Sequence, residues 1–354
     1  MTKRNKRIIK KASMLLVYIL IIGSIFLICI NLKTKTLKRI GYSDKEISII
    51  NKLSKDEINT IKNYKYDKNI IDLITDSEYK KENLDQYLKL ITRYDNVKGI
   101  IKYINNFKDT KELSSTLLNI LSAKYFIDSY LDDYIEYYNN NLDLSIDDVI
   151  LRVNTNIRYD FYTHTKEADT SKGMYTLVNK YNYLTSDYVP EDLVRISYDY
   201  TTNDTSVVSI AYENFLKMVE GARKDGFELR AATCYRGYSF QRSLYNNYVN
   251  SDGVAAADTY SARPGFSEHQ LGYSLDLTNG NYVPFEQFEN TGEYTWLKDN
   301  AHKYGFIIRF PKDKEYITGY MFESWHVRYV GVDVATYIYE NDITYEEYYA
   351  YFIR

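Results

Sequence analysis

Apolar positions follow three different patterns along the chain, and each predicts a different kind of structure. The first has no period. Residues 12–32 are 21 consecutive positions without a charge, centred on MLLVYILIIGSIFLICI. That matches the ~20 residues a helix needs to cross a bilayer. It exceeds the ~7–15 apolar residues of a cleavable signal peptide, and no small-residue cleavage pattern follows it. A retained transmembrane helix is expected over 12–32, after a short tail at 1–11.

The second pattern is helical. In DKEISIINKLSKDEINTIK the apolar residues Ile47, Ile50, Leu53, Ile58 and Ile61 recur every three or four positions, the spacing of one helix face. Ser43 stands before them as an N-cap. NLDQYLKLITRY and ELSSTLLNILSAKY repeat the pattern. YDKNIIDLI and YDNVKGIIKYI hint at a repeat of about 30 residues. DSYLDDYIEYYNNNLDLSIDD is acidic but lacks the oxygen-ligand spacing of a calcium loop, so it reads as a solvated face. Residues 33–165 are expected to form an α-helical spacer or interaction region.

The third pattern mixes periods. SIAYENFLKMVEGARKDG places Ala211, Phe215, Met218 and Ala222 on one helix face, with Gly226 to end it. FELRAAT alternates Phe227, Leu229 and Ala231 like a half-buried strand. YSFQRSLYNNYV and EYTWLKDNAHKYG return to helix, the latter closed by Gly305 and followed by the strand-like FIIRF. Helices and short strands without regular βαβ alternation indicate an α+β domain, assigned to 166–354, with a small central antiparallel sheet flanked by helices.

Composition narrows the function classes. The 354 residues carry a net charge of −3, but six basic groups and no acids lie in residues 1–32. Residues 33–354 therefore hold 39 basic against 48 acidic side chains, a poor surface for nucleic acid, which needs a positive face. The basic tail before the apolar run is expected to stay in the cytoplasm and everything after it to face outward. The only cysteines are Cys29 and Cys234, so there is no disulfide framework and no paired-cysteine metal motif. The 40 tyrosines against 4 prolines read as compositional bias.

Chemistry concentrates in three islands: CYRGYSFQ with Arg236 and Gln241, SEHQLGYSLD, and FESWHVRYVG. A catalytic zinc takes three protein ligands and keeps one position open. His269, Asp276 and His326 supply such a set. If YSLDL is a strand, Ser274 and Asp276 share a face, and in HVRYV so do His326 and Arg328. Gly272 lets the backbone turn between His269 and its strand. Glu323, three residues before His326, is either a fourth ligand or a base. Hydrolysis requires a free carboxylate beside the metal, which assigns it the base role. His302, in the last turn before Gly305, fits a helix-dipole role, and His164 lies in a polar loop. Neither belongs to the site.

ARPGFSEHQLGYSLDL and FESWHVRYVG resemble the two signature motifs of the VanY-type zinc D-alanyl-D-alanine carboxypeptidases, in the superfamily that also holds lysostaphin-like endopeptidases and hedgehog domains. The first motif, S-x-H-x-x-G-x-[AS]-x-D, is matched by Ser267, His269, Gly272, Ser274 and Asp276. The second, E-x-W-H, is matched by Glu323, Trp325 and His326. YRGYSFQ is similar to the family's Y-R-[ST]-x-x-x-Q element, with Gly237 where Ser is usual, and LVNKYNYLTSDYVPEDLV resembles the segment that often opens the domain. The likeness covers roughly residues 170–354. It implies one zinc on His269, Asp276 and His326, with Glu323 as base. It further implies that Arg236 holds the scissile carbonyl oxygen, and that Gln241 and Ser267 help bind the terminal D-residue and its carboxylate. Ser324 stands where close relatives have Pro, and Tyr273 where Leu or Thr is usual.

The implied protein is a bacterial, single-pass membrane enzyme that trims peptidoglycan stem peptides outside the cell. An L,D-carboxypeptidase or an endopeptidase would use the same zinc site. A zinc-containing binding module would not need the base and the arginine, and both are present. A tethered interaction protein working through residues 41–165 is a further alternative.

Overall fold

The computed structural model describes residues 35–354, which divide into two compact units, one ending at Ile150 and the other spanning Leu151–Arg354. The apolar run 12–32 lies outside the described residues. Among the described residues no helix is long and apolar enough to cross a membrane.

The first unit is helical, as its periodicity predicts. Its elements are α1 (Asp44–Ile50), α2 (Lys55–Ile61), α3 (Asn69–Thr75), α4 (Leu84–Ile91), α5 (Val97–Lys102), α6 (Ser115–Ser122) and α7 (Leu131–Asn140). The division between units falls within α8 (Ile146–Thr155). Ser43 and Ser54 each close a capping box, with Glu46 and Glu57, which satisfies orphan amides at both ends of the exchange. The two similar segments open α3 and α5, and these helices pack on each other. Asn69 Nδ2 donates to Asp95 Oδ1 at 3.1 Å between them. Leu131 and Tyr134 are buried in the acidic stretch read as a solvated face, so only one side of it is solvated.

The second unit is built on a four-stranded antiparallel sheet in the order Leu229–Thr233, Ser274–Asn279, Glu323–Tyr329, Phe306–Phe310, preceded by two short pairs. The pairs are β1 (Lys166–Glu167) with β2 (Asn182–Tyr183) and β3 (Leu193–Arg195) with β4 (Ser206–Val208). The main strands are β5 (Leu229–Thr233), β6 (Ser274–Asn279), β7 (Phe306–Phe310) and β8 (Glu323–Tyr329). Flanking helices are α9 (Ser209–Lys224), α10 (Tyr238–Asp252), α11 (Val254–Tyr260), α12 (Phe285–Phe288), α13 (Gly292–Asn300), α14 (Glu315–Thr318), α15 (Val332–Asn341) and α16 (Tyr345–Tyr348). Residues 151–165 belong to this unit: Tyr181 Oη donates to the Tyr159 carbonyl at 2.6 Å, and Tyr162 and Tyr320 share a hydroxyl contact.

The sheet has one greasy and one polar face, and alternation along each strand decides which is which. Leu229, Ala231, Leu275, Leu277, Phe306 and Val327 pack against α9, whose Phe215, Met218, Val219 and Ala222 are fully buried. Each of the leucine, valine, methionine and phenylalanine side chains among them contributes roughly 1.5–3 kcal/mol on burial. The intervening residues, Ser274, Asp276, His326, Arg328 and Arg309, therefore fall on the opposite face. They are polar and still buried, so they need partners of their own.

Candidate metal centre and cleft

Asp276 and His326 are direct partners across β6 and β8. This cross-strand pairing brings two motifs about fifty positions apart to one point. His269 reaches the same point from a 3₁₀ turn, Glu268–Leu271, that ends at Gly272. Gly272 has φ +83°, and a Cβ there would stand 3.0 Å from both Pro190 and Val208. The turn needs the left-handed conformation and the close approach together, which only glycine gives cheaply. Ligand atoms of His269, Asp276 and His326 all lie within 4.8 Å of one another, and all three residues are buried.

Orphaned atoms test whether this cluster fits a metal. His269 Nε2 and Asp276 Oδ1 are buried without hydrogen-bond partners. His269 Nδ1 meets the Cys234 carbonyl at 2.5 Å, which turns Nε2 toward Asp276 Oδ2 at 3.2 Å. His326 Nδ1 lies 3.3 Å from Asp276 Oδ1. Two imidazoles and one carboxylate, with the inward His269 Nε2 and Asp276 Oδ1 otherwise unsatisfied, are the donor set and count of a catalytic zinc site. Electrostatics agree for two of the three. Burial, and then the nearby Arg236 guanidinium, lower His269 to about 4, so it is neutral at pH 7. Burial opposes charge on Asp276, yet the two histidines hold it well below its ordinary value. For metal-free His326 burial also opposes charge, but Asp276 and Glu323 outweigh it and raise the ring to about 9. Metal ligation needs this imidazole neutral, so His326 would give up a proton to hold a metal.

Glu323 presents a geometric puzzle. In a regular strand, residues three apart point to opposite faces. Yet Glu323 Oε2 lies 3.3 Å from His326 Nδ1. The register supplies the reason. Ile308 pairs with Val327 and Phe310 with Glu323, so β8 uses four positions where β7 uses two. This bulge re-aims the strand and returns Glu323 to the face that carries the ligands. Glu323 stands beside the three-ligand cluster without being part of it. Burial raises its pKa, which suits a carboxylate that must carry a proton.

The cluster opens into a cavity of about 420 Å³ whose lining includes Arg236, Gln241, Ser267, Glu323 and Trp325. The Arg236 backbone amide donates to the His269 carbonyl at 3.2 Å, tying that arginine to the ligand turn. Among the described residues no carboxylate pairs with its guanidinium, and its Nε is buried without a partner. Gln241 is 1% exposed. Its amide donates to the Ala262 carbonyl at 2.8 Å, bracing the segment before Ser267, while its Oε1 has no partner. Ser267 is buried at the cleft wall. His164 and His302 lie elsewhere, stacked on Tyr159 and Tyr339 at 3.8 and 3.9 Å. His302 stands in the last turn before Gly305, where the sequence placed it, and burial lowers its pKa.

One group escaped the sequence reading. Glu268, beside His269, is buried; its Oε1 accepts from Arg309 Nε at 2.9 Å and lies in an ion pair with Arg328 Nη1 at 3.1 Å. Arg309 also forms a two-pronged pair with Glu346. Arg309 and Arg328 are the largest fully buried side chains among the described residues. Removing one partner from such a buried pair costs about 3–5 kcal/mol. The available signal was a single arginine inside each of the apolar strands FIIRF and HVRYV. Tyr273 joins this group, with its ring 5.4 Å from the Arg328 guanidinium carbon.

A donor set of this kind, with a free carboxylate and an unpaired guanidinium at the end of a cleft, serves hydrolysis of a carbonyl compound. Fold and site together offer the donor set and proton carrier of a metal-dependent hydrolase. The family model for VanY, D-alanyl-D-alanine carboxypeptidase, matches residues 204–332. A putative carboxypeptidase YodJ of Bacillus subtilis is 40% identical over 179 residues, 49% of this chain and 66% of that protein. A D-alanyl-D-alanine carboxypeptidase of Enterococcus faecalis is 32% identical over 52% of this chain and 69% of its own length. The bifunctional D-Ala-D-Ala dipeptidase and carboxypeptidase VanXYC of Enterococcus gallinarum is 31% identical over 49% of this chain and 93% of its own length. Among solved structures, the LdcB LD-carboxypeptidase superposes with a TM-score of 0.50 at 37% identity, covering 53% of this chain and 91% of that one. The chain belongs to the VanY family of D-alanyl-D-alanine carboxypeptidases.

Proposed function

We propose that this chain is a membrane-anchored carboxypeptidase that removes the C-terminal D-alanine from peptidoglycan stem peptides outside the cell. The observation that carries the reading is Arg236, an unpaired guanidinium lining the same cavity as three buried metal donors and Glu323. His269, Asp276 and His326 would hold the zinc, which when bound supplies Lewis-acid chemistry to a carbonyl group and to water. Glu323 takes a proton from the attacking water. Water oxygen bonds to the terminal peptide carbon, and Arg236 stabilises the negative charge that builds on the carbonyl oxygen. The carbon–nitrogen bond then breaks, and Glu323 passes the proton to the departing D-alanine nitrogen. Gln241 Oε1 and the Ser267 hydroxyl would contact the departing residue.

The anchor rests on the 21 uncharged residues of 12–32 and the six basic groups before them. Residues 33–165 would act as spacer or interaction region between membrane and catalytic unit. The negative balance beyond residue 33 argues against a nucleic-acid partner. Likeness to an LD-carboxypeptidase structure favours a second reading, release of D-alanine from a tetrapeptide. Release from peptides ending in one or two D-alanines, compared on the full chain, separates the readings. Faster release from the D-Ala–D-Ala peptide supports the first, and release from the tetrapeptide alone replaces it with the second. Protease added to intact cells should cut beyond residue 40, and full protection would reverse the orientation.

A further inference from the structure

The two histidines of the cluster treat their outward nitrogens differently. A metal-bound imidazole is oriented by what its other nitrogen donates to. His269 has such a partner in the Cys234 carbonyl. His326 presents Nδ1 to Asp276 and Glu323, and its outward Nε2 is buried with no hydrogen-bond partner. Across from it, at 4.0 Å, lies Glu268 Oε2, also buried and also without a hydrogen-bond partner. That distance is too long for a hydrogen bond. Leaving a donor nitrogen and a carboxylate oxygen unmatched side by side is costly, and a shift of about 1 Å joins them.

We propose that Glu268 is a positioning residue for the metal centre: its Oε2 accepts the Nε2–H of His326 and fixes that ring with Nδ1 turned to the metal. The other oxygen, Oε1, is occupied by Arg309 and Arg328, so the carboxylate cannot swing away. Arg309 is held in turn by Glu346 of α16. Arg328 is held by the carbonyls of Met174 and Thr176 at 2.8 and 3.1 Å, and Tyr273 covers its guanidinium. The inference rests on the reading of His326 as a ligand.

The first test needs no substitution. In zinc-loaded full-length wild type, nitrogen NMR of the histidine rings should show His326 protonated at Nε2, with that proton protected from exchange. Zinc bound near one equivalent with the proton on Nδ1 would overturn the proposal and leave the ligand set standing. Failure to bind zinc at all would instead overturn the ligand set. Competition with a zinc chelator supplies the second test. Glu268→Ala should weaken zinc binding by about 10–100-fold and lose the protected proton. Glu268→Gln keeps an acceptor oxygen and should restore most of both. Glu346→Gln disturbs the same buried ion group away from His326 and should leave zinc affinity at the wild-type level. Equal weakening in all three variants would make Glu268 a structural residue only and overturn the proposal.

Discussion

Replacing Glu323 by Gln lowers turnover by about 10²–10⁴-fold while the protein keeps one zinc. Glutamine preserves the shape of the side chain but cannot take a proton from water or deliver one to a leaving nitrogen. The distances make this separation of roles worth testing. Glu323 Oε2 and Asp276 Oδ1 both lie 3.3 Å from His326 Nδ1, so proximity alone does not tell ligand from base. Two features do. Asp276 belongs to the compact group of donor atoms within 4.8 Å of one another, whereas Glu323 stands outside it. The two carboxyls are also driven apart in pKa: Asp276 well below its ordinary value, Glu323 above it because of burial. Two carboxylates held in opposite directions are the arrangement expected of a ligand and a proton carrier. Metal analysis beside steady-state kinetics checks the result. Loss of zinc in Glu323→Gln would make this residue a ligand, and unchanged turnover would place the base elsewhere.

Replacing Asp276 by Ala gives the complementary outcome, loss of zinc and of turnover together. Asp276 supplies the one anionic donor of the cluster and is the neighbour of both histidine nitrogens, at 3.2 and 3.3 Å. Without it, two neutral imidazoles remain for a dication. Its place in β6, a strand with every residue buried, fixes it between the two histidines, a position that Glu323, which is within 3.3 Å of His326 only, does not share. Folding is checked by thermal unfolding of the apo protein, because the alanine stays within a well-paired strand. Zinc retained near one equivalent in a folded Asp276→Ala protein would contradict the ligand assignment.

Strand alternation made half of this site legible without coordinates. Ser274 and Asp276 were separable from Leu275 and Leu277 because a strand presents successive side chains to opposite faces. His326 was separable from Val327 for the same reason, and all fall where that rule puts them. The same rule would have misplaced Glu323, since three positions along a regular strand reverse the face. The bulge opposite Phe310 is set by how β7 and β8 fit together, and no residue in ESWH announces it. Glu268 was hidden for a different reason. Its partners Arg309, Arg328 and Glu346 come from separate elements, and a carboxylate next to a candidate ligand reads as surface until its neighbours are known. The helices of residues 44–122 were plain in the spacing of isoleucine and leucine. Those at 131–155 were obscured because tyrosine and aspartate blur the contrast between the faces, even though Tyr134 is fully buried.

The most direct test of the account is release of D-alanine by the full-length protein from a peptide ending in D-Ala–D-Ala, measured before and after treatment with a zinc chelator. The account predicts release that disappears with the chelator and returns when one equivalent of zinc is restored. Release that persists after zinc has been removed would contradict it.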